Sequence, residues 1–152
     1  MTLILKQQSG VIMNEFEFLT EEQYKKMLDN GKPENSDQNH APIVKLFLPF
    51  TKCVWLLSEI THEDEGIAFG LCDLGLGYPE SGSVSLYELK YLDDYPFPVM
   101  SDVSFHGNYP MSVYCDAARV DEQISTDEAL LQKYHRMYLS RITKKPCGPK
   151  PT

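Results

Sequence analysis

Three segments of strand character follow one another with almost no chain between them: IVKLFLP (residues 43–49), CVWLLSEI (53–60) and IAFGLCDLGLG (67–77). The first alternates and stops at Pro49, and the second is apolar on both faces up to Ser58. Connections of three and six residues leave no room for the helical crossover that joins parallel strands. The segments must therefore pair as antiparallel neighbours, and a mostly parallel sheet is excluded. Helical segments on either side complete the expectation: a single α+β domain, an antiparallel β meander of three to five strands with helices packed mainly on one face.

The helices are marked at their ends. In LTEEQYKKMLDNGKP, Thr20 is an N-cap with Gln23 three residues on, Glu21 and Glu22 suit the positive helix end, and Gly31 and Pro33 stop the helix. Ser85-Leu86-Tyr87-Glu88 repeats the capping-box pattern, as does Ser125-Thr126-Asp127-Glu128. Residues 111–120 read as a helix with Val113, Ala117 and Val120 on one face, and the last helix carries Leu131, Tyr134, Tyr138 and Ile142 at helical spacing. A short edge strand is expected at residues 103–105. The resulting boundaries are a dispensable leader over 1–12, with Met13 as a second start, a domain over 13–124, a C-terminal helix over 125–143 and a disordered tail over 144–152.

The glycine-rich stretch AFGLCDLGLGYPESG, residues 68–82, invites comparison with a phosphate loop, but it lacks the lysine and third glycine of those motifs. Asp73 and Glu80 would also repel a phosphate. Strand and turn explain it better. Alternation puts Ile67, Phe69 and Leu71 on one face and Ala68, Gly70 and Cys72 on the other, and a small-residue face lets another backbone or a helix approach closely.

Composition removes several chemistries. The net charge of −8 divides unevenly: residues 1–124 carry eight Lys and Arg against twenty Asp and Glu, and residues 125–152 carry six against two. An acidic body repels phosphate backbones, so direct nucleic-acid binding is not expected. No apolar run approaches a membrane span and no secretory signal is present, which points to the cytoplasm. Cys53, Cys72, Cys115 and Cys147 form no C-x-x-C pair, and His40, His62, His106 and His135 are scattered singly, so neither a disulfide framework nor a metal site is indicated. No cofactor motif occurs. Cys72, Asp73 and His106 are the one trio worth inspecting for nucleophilic catalysis, although a carboxylate beside a buried thiol raises its pKa. Glu59 and Asp73 are the candidate carboxylate pair, with capping and turn hydrogen bonds as their plainer role.

The least ordinary surface feature is aromatic. Tyr91, Tyr95, Phe97, Phe105 and Tyr109 crowd a proline-punctuated segment, and such residues either fold back over a core or form a protein-binding surface. Arg136, Arg141, Lys144 and Lys145 give the last helix a basic end that suits an acidic partner or the acidic body of a second copy.

The pattern PIVKLF-P…WLL-E…IAFGLCDLGLGYPE-G-VSL-EL, preceded by EFLTEEQYKKMLDNG, resembles a domain-of-unknown-function family of small proteins on conjugative plasmids and integrative elements. The resemblance runs from about Met13 to Val120, and the FGLCDLGLG core is its most specific part. Ser81, Ser58, Ile60 and the basic C-terminal helix depart from it. No activity comes with the resemblance, only a setting. The expected function is that of a small acidic mobile-element accessory protein. It would bind a protein partner or form a homodimer, and would modulate a host defence or nucleic-acid-handling protein. The alternatives are a small enzyme with a pocket near Cys72, Asp73 and His106, and a DNA mimic built on clusters such as Glu63–Glu65 and Asp93–Asp94.

Overall fold

A computed structural model describes residues 14–92 and 96–143. The leader and tail assigned above, together with Tyr95, Lys144 and Lys145, lie outside the described residues. The elements in order are α1 (Glu21–Asn30), β1 (Val44–Phe47), β2 (Val54–Ile60), β3 (Ile67–Asp73), β4 (Glu80–Ser85), α2 (Leu86–Lys90), β5 (Met100–Ser101), α3 (Met111–Asp121) and α4 (Glu128–Thr143). The strands form one sheet in the order β4-β3-β2-β1-β5, and every neighbouring pair is antiparallel. The α+β meander read from the sequence is thus the fold, with β5 added beside β1.

The helices divide between the two faces of the sheet, which corrects the expectation that they pack mainly on one. Trp55, Leu57 and Ile60 of β2 point into a core with Tyr24 and Met27 of α1 and Leu86 and Leu89 of α2. Leu56 and Leu71 point the other way, into a second core with Val113, Tyr114 and Ala117 of α3 and Leu131 and Tyr134 of α4. The reason is the composition of β2. A strand apolar on successive residues has two faces to remove from water, and each needs its own cover.

A β-bulge interrupts β2. Leu57 pairs with Gly70 and Glu59 with Phe69, so Ser58 is the extra residue. Without the bulge, strict alternation would send Glu59 into the α1 core and Ile60 out of it. The bulge reverses both, and Ile60 becomes fully buried. It is tied in place by Asn30, whose Nδ2 donates to the Ser58 carbonyl at 2.9 Å, and by tight backbone contacts at two glycines. A Cβ on Gly31 would stand 1.7 Å from the Ile60 oxygen, and one on Gly70 would stand 1.9 Å from the Leu56 oxygen. The close backbone approach expected at the small-residue face is therefore made by β2 itself.

The caps hold with differences. Thr20 and Gln23 form the full reciprocal box of α1. Ser85 accepts from the Glu88 N–H at 3.2 Å. At α4 the cap shifts to Asp127, whose Oδ2 accepts from the Leu130 N–H, while Ser125 accepts from Asp127 itself. The short edge strand forms at Met100–Ser101 rather than at 103–105, because Asp102 turns the chain. Its Oδ1 accepts from both the N–H and the hydroxyl of Ser104, and its carbonyl accepts from the Phe105 N–H. Val103 consequently points into solvent.

Candidate functional site

The glycine-rich stretch folds as strand and turn. Gly75 and Gly77 take left-handed conformations, at φ 79° and 86°. Asp73 is almost fully buried. Its Oδ1 accepts from the Gly75 N–H at 2.8 Å, and its Oδ2 accepts from the Ile124 N–H at 3.0 Å, tying the α3–α4 connection to the end of β3. The N–H of Gly75 is therefore occupied by the protein's own carboxylate rather than turned toward a phosphate.

Cys72 and Asp73 are successive strand residues and point to opposite faces: Cys72 toward the α1 core, Asp73 toward Ile124. Burial pushes the Cys72 thiol up from its ordinary pKa. His106 lies elsewhere, in a cleft of about 230 Å³ with Asp102, Ser104, Asn108 and Glu128. The trio is not brought together. Glu59 and Asp73 are also apart: Glu59 pairs with Phe69, which lies four positions before Asp73 along β3, a separation of about 13 Å by strand rise. Among the described residues, no group of three His, Cys, Asp or Glu is arranged to hold a metal ion, and no helix is long and apolar enough to cross a membrane.

The aromatic segment divides. Tyr109 is buried, packs on His135 at 4.9 Å between ring centroids, and donates its hydroxyl to Glu128 of α4. Phe105 packs against the second core beside Tyr114. Tyr91 and Phe97 remain exposed. On α4, Arg136 is exposed, and Arg141 donates to Asp116 of α3 at 3.0 Å. Of the helix's apolar stripe, Leu131 and Tyr134 are buried, Tyr138 is half-buried and Ile142 is exposed.

A set of exposed residues that the sequence did not single out gathers at one end of the sheet. The β1–β2 connection presents Phe50, 88% exposed, and the β3–β4 connection presents Leu74, Leu76 and Tyr78, the last two 73% and 78% exposed. These connections touch: a Cβ on Gly75 would lie 2.7 Å from the Lys52 Cβ, and the Cys53 thiol reaches the Leu74 carbonyl. Phe97 joins them through a tilted ring contact with Phe50, 4.9 Å between centroids. Phe50 itself sits at φ 64°, in the left-handed region that bulky residues avoid. A signal for part of this was legible. Leucines interleaved with turn glycines in LGLGYP have no strand face to bury against.

No curated protein and no solved structure matches the chain. The model of a family described as "Protein of unknown function (DUF2958)" matches residues 18–125, from the approach to α1 through the α3–α4 connection. On that match the chain belongs to the DUF2958 family.

Proposed function

We propose that the chain is a non-enzymatic, protein-binding accessory factor whose contact surface is the sheet end carrying Phe50, Phe97, Leu74, Leu76 and Tyr78. The observation that carries this reading is the presentation of large apolar side chains on connections that touch, one of them held in an unfavourable backbone conformation. Exposed apolar side chains scattered singly are ordinary, but several on adjoining loops mark a contact surface. A left-handed phenylalanine costs roughly 1–2 kcal/mol, and such strain persists where a surface is kept for use. The partner is a protein with a complementary apolar surface. The setting is that of the motif resemblance: a cytoplasmic accessory protein of a conjugative plasmid or integrative element, acting on a host defence or nucleic-acid-handling protein.

The test is site-specific photocrosslinking in cells, with the photoreactive residue at Tyr78 and, as control, at the exposed Gln132 of α4. A defined adduct from position 78, absent from position 132 and lost on Leu76→Ser, is the expected result. Equal adducts at both positions, insensitivity to Leu76→Ser, or duplex DNA binding by the intact chain at physiological salt would overturn the reading.

A further inference from the structure

The bulge in β2 sends Glu59 to the side of the sheet occupied by Ile67, Phe69 and Ser83. There it lines a cavity of about 410 Å³, with Ser36, Thr61, His62, Glu63, Asp64 and Ser83 around it. Glu59 is only 9% exposed, yet its side chain takes part in no hydrogen bond or ion pair among the described residues, and its carboxylate is left to the cavity. A carboxylate in that position is ordinarily paired or solvated, since an uncompensated buried charge is costly. The chain has not drifted into this arrangement. Asn30, Gly31 and Gly70 hold the bulge that produces it, and bulges of this kind re-aim a side chain beside a site.

We propose that this cavity binds an organic cation, a guanidinium or ammonium group seated on the Glu59 carboxylate. The lining supplies acceptors and no lysine or arginine. Ser36, Thr61 and Ser83 line the same cavity as the carboxylate, and their hydroxyl oxygens add acceptors that suit the forked donors of a guanidinium. His62 donates to the Gly31 carbonyl through Nδ1 at 3.0 Å, and its Nε2 lies 3.7 Å from Glu63, so both ring nitrogens are directed to partners other than Glu59. His40 stands near enough to oppose the rise in the Glu59 pKa, but its ring is engaged with the Asn35 carbonyl at 2.7 Å. The described residues hold no three-ligand metal group, and the volume falls in the range of a small-molecule site rather than that of a bare ion. Burial, which lifts the Glu59 pKa, is the same desolvation that a bound cation would offset.

The guanidinium could arrive on a free metabolite or on an arginine of a partner. The full chain is titrated by calorimetry with butylguanidine, with neutral butylurea and with a blocked Gly-Arg-Gly peptide. Saturable binding of butylguanidine, none of butylurea, and a loss of at least about tenfold in Glu59→Gln are expected. Tighter binding of the peptide identifies a partner's arginine, and tighter binding of butylguanidine a free ligand. Glu59→Asp, which keeps the charge one methylene short, gives an intermediate loss and serves if Glu59→Gln does not fold. Glu63→Gln leaves binding nearly unchanged. Equal binding of butylurea, no binding of either cation, or an equal loss in Glu63→Gln would overturn the proposal.

Discussion

Asp73, at the end of β3, accepts a hydrogen bond at 3.0 Å from the backbone N–H of Ile124, 51 residues later in the chain. The contact fastens α3 and α4 to the meander, and with the Gly75 bond it uses both oxygens of a buried carboxylate. Asp73→Ala would leave two backbone donors without an acceptor and should cost about 2–3 kcal/mol. Asp73→Asn should cost less, because its single oxygen can still satisfy one N–H while its amide faces the other. Urea denaturation checks this: the midpoint should fall in that order at unchanged slope.

Gly70 and Gly82 pair across β3 and β4, yet they should respond oppositely to the same substitution. A Cβ on Gly70 would strike the Leu56 carbonyl and the Leu57 Cα, both backbone atoms that cannot step aside, whereas one on Gly82 meets nothing within 4 Å. Gly70→Ala should therefore lose about 1–3 kcal/mol or more as the bulge is forced open. Gly82→Ala should be neutral or gain up to about 1 kcal/mol by restricting the unfolded chain. Thermal melts of the two variants decide it, and a Gly82→Ala loss equal to that of Gly70→Ala would refute the account.

Much of this was legible in the residues. Connection lengths alone set the antiparallel order, and Thr20 and Gln23 announced the start of α1. The apolar character of CVWLLSEI on both faces also called for helices on both sides, although the small-residue face of β3 drew attention to one. The bulge was not legible. It depends on one extra residue whose neighbours, Leu57 and Ile60, are apolar in any register, and only the pairing to Gly70 and Phe69 reveals it. Glu59 was visible as a carboxylate in a strand, but its isolation from donors is a property of tertiary packing. Likewise nothing local distinguishes Tyr109, which the second core absorbs, from Phe97, which it does not.

Burial raises the Glu59 pKa above its ordinary value, with the field of His40 opposing. The folded state therefore binds this proton more tightly than the unfolded chain does. Its contribution to stability is fully present below the ordinary carboxylate pKa and is lost as pH rises through the folded value. Glu59→Gln removes that loss. The variant should match the wild type in mild acid and exceed it in stability at neutral pH, read as urea midpoints across the pH range. A variant less stable at neutral pH would show that the carboxylate is compensated after all.

The C-terminal helix lies past the matched family region, yet α4 supplies Leu131 and Tyr134 to the second core and Glu128 to Tyr109. Removing residues 125–152 should destabilise the remaining domain rather than release it intact. Leu131→Ala should cost about 2–4 kcal/mol as a core truncation. Arg141→Ala should cost under about 1 kcal/mol, because the Arg141 side of its pair with Asp116 is largely exposed to solvent. Proteolysis of the truncated chain checks the first point and denaturant midpoints the other two.

Phe50 gives the sharpest separation of stability from use. It occupies the left-handed region at φ 64° and is 88% exposed, so the fold gains little from it beyond the tilted ring contact with Phe97. Glycine adopts that conformation without the clash of a Cβ. Phe50→Gly should then leave stability unchanged or raise it by up to about 1 kcal/mol, the relief of strain offsetting the lost ring contact. The same change should weaken crosslinking from position 78, and the loss should persist when salt is raised, because the contact is apolar and is not screened. A Phe50→Gly protein that is clearly destabilised would place the ring among the residues that hold the β1–β2 turn. One with undiminished crosslinking would remove the sheet end from the binding surface.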